Sequence, residues 1–229
     1  MPQESVKPGL RLALRLHEIG DASPYRLSFA GKGKSGASFG FMQGDLAAGQ
    51  NEVTQTFRAA MSAAGMSAAE IDSLIQRLSV HLIANPLSSA ETNQVNGALR
   101  SSRQLVDQMD DSILQGVCGG LDRCIDSAAE AARSIAPKAQ IYMALWINMT
   151  GPPSKLLVWL KGGNPGLETA LPSLGSTVDG AAMEGYLRAT SYYAENPGNL
   201  PHMLQCAAAG MAAIASGANV TALAAAGSS

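Results

Sequence analysis

The spacing of apolar residues constrains the fold of this chain more than any other feature, because from Gln50 onward these residues recur at helical intervals. Hydrophobic residues make up 46% of the 229 positions, and alanine, leucine and methionine supply much of that fraction. These three are strong helix formers, whereas strands favour β-branched and aromatic side chains. The sequence therefore predicts a mainly α protein with roughly nine helices in a single domain over residues 1–229.

Start and stop signals set the expected helix boundaries. A first helix over Gly9–Ile19 ends at Gly20, and glycine commonly stops helices. Ser67 opens a later helix with the spacing of a capping box to Glu70. Further patterns predict a helix that starts near Ser89 or Thr92 and continues past Arg103, and a helix over 111–134 that is kinked or split at Gly119–Gly120. Two later helices are predicted over 178–194 and 205–226.

One segment, residues 21–49, departs from the helical pattern and is rich in glycine, serine and lysine. Its central part, SFAGKGKSGASFGF, has glycines at turn positions and predicts one small β-hairpin. A polar hairpin between helices often has a functional role. Gly36 and Gly40 allow a ligand to approach the backbone closely, and Gln43 and Asp45 offer hydrogen bonds to it.

Charge and hydropathy argue against several partner classes. The formal net charge of −2 provides no basic surface of the kind that nucleic acids require. No apolar run reaches the roughly 18 residues that a membrane-spanning helix needs. The N-terminal segment lacks a signal-peptide pattern, so the protein is expected in the cytoplasm or exported by a non-classical route. Cys118, Cys124 and Cys206 lack metal-site spacing and predict buried thiols, with one disulfide as the alternative.

Glu18 is the leading candidate for chemistry, because it lies in the last turn of the first predicted helix, beside the glycine-rich segment. Partial shielding from water and the negative end of the helix both favour a protonated carboxyl there. A general acid needs that form. The neighbouring His17 is a candidate for tuning the acidity of Glu18, but its side chain projects about 100° away around the helix. His81 and His202 are expected to be structural, and Asp110–Asp111 is expected on a solvated helix surface.

Two motifs resemble those of goose-type lysozymes and lytic transglycosylases. GFMQ, residues 40–43, is similar to their GLMQ signature, which lies on the hairpin flooring the sugar cleft and also follows a helix-terminal glutamate. The segment ALWINMTGPPSKLLVWL, residues 144–160, is similar to their later motif, AAYNAGPxxVxxWL. Asn148 matches the motif asparagine, whereas Ile147 replaces the motif tyrosine and Thr150 is one extra residue.

The resemblance implies a lysozyme-like helical domain with the small hairpin next to the active site. Its core would span about residues 9–162, followed by a C-terminal helical extension over about 163–229. It also implies cleavage of a β-1,4-linked cell-wall glycan, peptidoglycan, with Glu18 as the acid and with neither cofactor nor metal. The implied substrate-binding residues are Ser35, Ser38, Gln43, Trp146 and Asn148, and the alternatives for the missing tyrosine are Trp146, Tyr142, Tyr192 and Tyr193.

The sequence alone does not identify the second catalytic group. If Asp45 lies about 6.5–9.5 Å from Glu18, it can activate a water molecule and the enzyme inverts the anomeric centre. Asp21 is a weaker alternative, because it lies just beyond the helix end. In the transglycosylase route that the resemblance implies, the C6 hydroxyl of the substrate closes an anhydro ring, and Glu18 acts as acid and then as base.

Two other functions remain as alternatives. Ser35, Gly40–Phe41 and Asp45 also resemble the hairpin of chitosanases, which favours a hydrolase of a chitosan-like chain or an exopolysaccharide. Chitosanases place a base aspartate just before that pattern, however, and residues 29–34 contain no carboxylate. The other alternative is a glycan-binding protein that has this fold and no catalytic activity.

Overall fold

The computed structural model of the protein describes residues 6–30, 33–167, 169–171 and 173–217. These residues form two compact units. The terminal unit consists of the described parts of Met1–Gly20 and Gln115–Ser229, and the central unit is Asp21–Leu114. The described residues after 162, predicted to form an extension, therefore belong to the same unit as the N-terminal helix.

The protein is mainly helical, as the apolar spacing predicts. Short strands and two 3-10 helices, Leu46–Ala48 and Pro197–Asn199, complete the described part. In chain order the elements are α1 (Lys7–Ile19), β1 (Ser28–Phe29), β2 (Ala37–Phe39), β3 (Gly44–Asp45), α2 (Asn51–Ala63), α3 (Ala68–Leu78), α4 (Ser89–Ser101), α5 (Arg103–Glu130), β4 (Ser134–Ile135), α6 (Pro137–Thr150), α7 (Ser154–Leu160), β5 (Thr177–Val178), α8 (Gly180–Arg188), α9 (Ser191–Glu195) and α10 (Leu200–Ser216).

The central unit contains a three-stranded antiparallel sheet in the order β1-β2-β3, where the sequence predicted one hairpin. The predicted hairpin corresponds to β1 and β2, and Gly31 and Lys32 of its turn lie outside the described residues. A second turn at residues 40–43 returns the chain to form β3. Phe39 of β2 packs against Phe57 of α2, with ring centroids 6.0 Å apart, in the core that α2, α3 and α4 share.

Side-chain caps begin two helices of the central unit. Ser67 and Glu70 form the predicted capping box at the start of α3. Ser88 and Glu91 form a second capping box, and α4 begins at Ser89, one of the two predicted starts. Arg77 binds Glu91, with Nη1 2.6 Å from Oε1, and together with Ser88 it lowers the pKa of Glu91 to about 2. These local contacts fix where α3 and α4 meet.

The middle of the chain differs from the prediction in two places. The helix that starts near Ser89 does not continue past Arg103, because α4 ends at Ser101 and Ser102 separates it from α5. A split at Gly119–Gly120, one form of the predicted irregularity, is absent, since α5 runs over 28 residues through both glycines. A Cβ on Gly120 would lie 2.9 Å from Cγ2 of Ile147, so this glycine serves close packing of α5 on α6.

In the terminal unit, α6 is the central helix, and α1, α8 and α10 pack against it. Eight residues of α6 are buried, which explains why its sequence is apolar on all sides. β4 and β5 pair in parallel, with Ser134 opposite Thr177. No described helix is long and apolar enough to span a membrane.

Later boundaries of the terminal unit also differ from prediction. The single helix predicted over 178–194 forms α8 and α9, which Ala189–Thr190 separates, and Thr190 Oγ1 donates a hydrogen bond to Leu187 O at 2.6 Å. The last helix begins at Leu200 and ends at Ser216, with Gly217 as its C-cap, and residues 218–226 of its predicted range lie outside the described residues. All three cysteines are free, and Cys124 and Cys206 are buried as predicted, whereas Cys118 is only partly buried.

Gly9 of α1 and Gly210 of α10 mark a close crossing of these two helices. A Cβ on Gly210 would lie 2.5 Å from Gly9 O, and a Cβ on Gly9 would lie 2.3 Å from Gly210 O. Both contacts are with backbone atoms, so a rotamer change cannot relieve them. The crossing therefore requires glycine at both positions.

Replacing Gly210 by alanine is expected to lower the free energy of unfolding by about 1–3 kcal/mol, because the added methyl group forces α1 and α10 apart. Gly185→Ala is the matched control, since Gly185 also lies in a helix and its added Cβ would meet nothing within 4 Å. That control should raise stability by up to about 1 kcal/mol. Urea unfolding followed by circular dichroism measures both effects, and equal effects of the two substitutions would contradict the assigned crossing.

Candidate active site

Glu18 lies in the last turn of α1, where Gly20 ends the helix with a positive φ of 55°. Its side chain is 21% exposed, so the carboxyl group is partly shielded but still accessible. Asn148, near the end of α6, donates a hydrogen bond from Nδ2 to Glu18 Oε1 at 2.9 Å. The packing of α1 against α6 thus joins the two residues that the separate sequence motifs singled out.

His17 also contacts the Glu18 carboxyl group. Its Nδ1 lies 3.1 Å from Glu18 Oε1, within hydrogen-bonding distance, although successive residues project about 100° apart on a helix. The ring of His17 stacks on that of His202 from α10, with centroids 5.3 Å apart, and His202 Nε2 lies 3.4 Å from His17 O. Sequence analysis did not connect His202 with Glu18, because only the packing of α10 on α1 brings them close.

Cys206 follows His202 by one turn of α10, and its Sγ lies 3.8 Å from His202 Nε2. Burial raises the pKa of the Cys206 thiol, and the negative charge of Glu18 raises it further. A raised pKa keeps the thiol protonated and makes it a poor nucleophile. The chemically useful group in this cluster is therefore the Glu18 carboxyl, which Asn148 and His17 hold.

Trp146, another predicted site residue, lies on a different side of α6. Residues two positions apart in a helix project about 200° apart around its axis, so the side chains of Trp146 and Asn148 leave α6 in different directions. Trp146 packs against Tyr192 and Tyr193 of α9, with centroids 6.3 Å and 5.8 Å away. It lines a groove of its own, with a volume of about 320 Å³.

Of the alternatives for the missing motif tyrosine, two are fully buried. Tyr142 is 1% exposed and Tyr193 is 3% exposed, and burial raises the pKa of both phenols. The Tyr193 hydroxyl lies 3.3 Å from the sulfur of Met203. These two tyrosines therefore act in the core, whereas Tyr192, which is 37% exposed, lines the groove beside Trp146.

The other predicted site residues belong to the central unit, where Gln43 and Asp45 hold the backbone. Gln43 adopts a positive φ of 51°, accepts a hydrogen bond from Ser28 Oγ, and donates from Nε2 to Gly40 O at 2.8 Å. Asp45 Oδ1 accepts hydrogen bonds from Gly36 N at 3.0 Å and from Ala47 N at 2.8 Å. These contacts fix the turn between β2 and β3 and the start of the following 3-10 helix.

The two predicted serines differ in accessibility. Ser38 lies in β2, opposite both Ser28 and Asp45, and its side chain is buried. Ser35 is half-buried, and its carbonyl oxygen accepts a hydrogen bond from Leu82 N at 3.1 Å. Of the two, Ser35 is therefore the more accessible to a ligand.

Asp110 is a residue whose role the sequence analysis missed. It is fully buried, so the expectation of a solvated surface is wrong for Asp110, although Asp111 is exposed. The Asp110 carboxylate accepts hydrogen bonds from Phe41 N at 2.8 Å and from Met42 N at 3.0 Å. The available signal was its position on α5, four residues after the buried Val106.

Gly40 completes this arrangement. It has a φ of 81°, a conformation that other residues rarely adopt, and a Cβ there would lie 2.3 Å from Asp110 Oδ1. The turn of the GFMQ motif is thus wrapped around a buried carboxylate. This explains in physical terms why the motif begins with glycine.

No protein-family model, curated protein or solved structure matches this chain. Within the described ranges, no group of three or more histidine, cysteine, aspartate or glutamate side chains is placed to hold a metal ion.

Proposed function

We propose that the protein cleaves a β-1,4-linked glycan, with Glu18 as the general acid. The observation that carries the proposal is the hydrogen bond from Asn148 Nδ2 to Glu18 Oε1, at 2.9 Å. The resemblance to lysozymes and lytic transglycosylases selected these two residues from separate motifs, and the fold of the terminal unit pairs them. A partly shielded, oriented carboxyl group is suited to proton transfer.

In the proposed reaction, Glu18 protonates the glycosidic oxygen of the leaving sugar. Asn148 and His17 both contact Oε1, so they hold the plane of the carboxyl group, and Oε2 transfers the proton. Fixing the acid in advance removes part of the orientational cost of the reaction. Asn148 is a positioning residue in this scheme, because it acts through Glu18.

For the second step, the structure of the central unit favours the transglycosylase route over Asp45 as the base. Asp45 Oδ1 already accepts two backbone hydrogen bonds, which give the residue a structural role. In the transglycosylase route, the C6 hydroxyl of the substrate attacks the anomeric carbon and a 1,6-anhydro ring forms. Glu18 donates its proton to the leaving oxygen and then takes up the proton of that hydroxyl.

Product analysis on purified glycans tests both the reaction and its substrate. Peptidoglycan, chitosan and a bacterial exopolysaccharide are incubated with the protein, and the soluble fragments are analysed by mass spectrometry. The proposal predicts fragments from peptidoglycan with 1,6-anhydro ends, which are one water molecule lighter than hydrolysed ends. Hydrated ends with inverted anomers would indicate Asp45 as the base, and release from chitosan alone would indicate the chitosanase-like alternative.

Replacing Asn148 by alanine is expected to lower kcat/KM by about 10- to 100-fold. The reason is that a hydrogen bond to a charged group contributes about 1.5–3 kcal/mol of free energy. Asn148→Asp places a second carboxyl group beside Glu18, and two carboxyl groups at this distance share one proton. The activity of that variant should extend to higher pH. Asn51→Ala, at the exposed start of α2, is the matched control and should leave the rate and the pH profile unchanged.

A further inference from the structure

The groove beside Trp146 has the features of a second ligand site, in addition to the Glu18 carboxyl. Its volume of about 320 Å³ is at the lower end of the range for small-molecule pockets, which begins at roughly 300 Å³. It is lined by the end of α6, the start of α7 and the segment that joins α8 to α9. Trp146 and Tyr192 form an aromatic wall, with their ring planes 62° apart.

The aromatic wall is held in place before any ligand binds. The Tyr192 hydroxyl accepts a hydrogen bond from Asn199 Nδ2 at 3.1 Å, and the Tyr192 carbonyl accepts one from Asn196 Nδ2 at 2.9 Å. Trp146 also packs against the buried ring of Tyr193. Rigid aromatic side chains that stay accessible offer a large contact area at a low entropic cost.

Polar groups also line the groove. Ser154 and Ser191 contribute hydroxyls, and Lys155 contributes an exposed ammonium group. Across the part of the chain that the structure describes, Lys155 has no ion-pair or hydrogen-bond partner. A groove that combines an aromatic wall with hydroxyls and one cation complements a ligand with an apolar face, several hydroxyls and one negative charge.

We propose that this groove binds a pyranose unit bearing a carboxylate. The C–H face of the sugar ring lies against Trp146 and Tyr192, and the carboxylate pairs with Lys155. Both lactyl-ether sugars and uronic acids have this chemistry. The proposal does not depend on the catalytic role of Glu18, because Glu18 is not among the residues that line the groove.

A proline-rich peptide is the main competing ligand, because such peptides also dock on aromatic side chains. Two observations favour the sugar. The groove is compact, and its own wall already contains two prolines, the exposed Pro152 and the buried Pro153. A neutral polyproline segment also makes no use of the Lys155 charge. Decaproline is therefore one of the probes in the binding experiment.

Tryptophan fluorescence reports on this groove directly. The chain has two tryptophans, and Trp159 is only 3% exposed, so quenching by acrylamide mainly reports Trp146. The probes are N-acetylmuramic acid with N-acetylglucosamine as its neutral counterpart, methyl glucuronide with methyl glucoside, and decaproline. At least one acidic sugar should protect Trp146 and bind about two- to fivefold more tightly than its neutral counterpart, the range expected for one exposed ion pair.

Two variants and one control locate the binding. Lys155→Ala should abolish the preference for the acidic sugar, and Tyr192→Ala should weaken binding of every sugar by about three- to tenfold. Lys161→Ala removes an exposed lysine that pairs with Glu130, and it should change nothing. Protection by only one acidic sugar identifies the source of the ligand. Equal binding of acidic and neutral sugars, protection by decaproline alone, or no protection would overturn the proposal.

Discussion

Replacing Glu18 by glutamine is expected to lower the rate of glycan cleavage by about 100- to 10,000-fold, the usual contribution of a general acid. Glutamine preserves the size of the side chain and still has an oxygen to accept the hydrogen bond from Asn148 Nδ2. It has no proton to transfer at a carboxyl oxygen. The loss should therefore appear in kcat, measured as the initial rate of release of soluble glycan fragments.

The stability of the Glu18→Gln variant separates a catalytic loss from a folding loss. Its midpoint of thermal unfolding should remain close to that of the unmodified protein, because the hydrogen bond to Asn148 is retained. Glu130→Gln is the control for removing a carboxylate, since Glu130 is exposed and pairs with Lys161. Unchanged cleavage by Glu18→Gln would eliminate Glu18 as the acid. It would not affect the proposal for the groove beside Trp146, because Glu18 does not line that groove.

Replacing Asp110 by alanine is expected to lower the free energy of unfolding by about 2–5 kcal/mol, because two buried backbone donors lose their acceptor. These donors are Phe41 N and Met42 N, in the turn between β2 and β3. The substitution also removes the group around which Gly40 is closely packed. Urea unfolding followed by circular dichroism measures the loss.

Asp72→Ala is the matched control for that experiment. Asp72 belongs to the same unit and also forms a short contact, with its Oδ1 2.6 Å from Arg58 Nη1, but both side chains are largely exposed. An exposed ion pair contributes less than about 1 kcal/mol, so the control should be nearly neutral. If the two aspartate variants lost equal stability, the Asp110 carboxylate would not be the support of the GFMQ turn.

Local signals were sufficient to predict much of the helical structure. Gly20 ends α1 where predicted, and Ser67 and Glu70 form the predicted capping box, because each signal acts within one helical turn. Long-range packing was not predictable in this way. In isolation Gly120 predicts a helix break, but it lies inside α5, where the lack of a side chain lets Ile147 pack closely against it.

The candidate site shows the same division between local and long-range information. The sequence motifs selected Glu18 and Asn148, which meet in the structure. The contact of His202 with His17 and the burial of Asp110 depend on which helix faces pack together, and a single sequence does not reveal that. Trp146 and Asn148 lie in one motif, but the helical turn directs them to different surroundings.

The most direct test of glycan cleavage by Glu18 is the clearing of a purified peptidoglycan suspension. The unmodified protein and the Glu18→Gln variant are added at equal concentration, and the turbidity is followed with time. We predict that the unmodified protein clears the suspension and that the variant does not. Clearing at the same rate by both proteins would contradict the role of Glu18, and no clearing by the unmodified protein would contradict peptidoglycan cleavage itself.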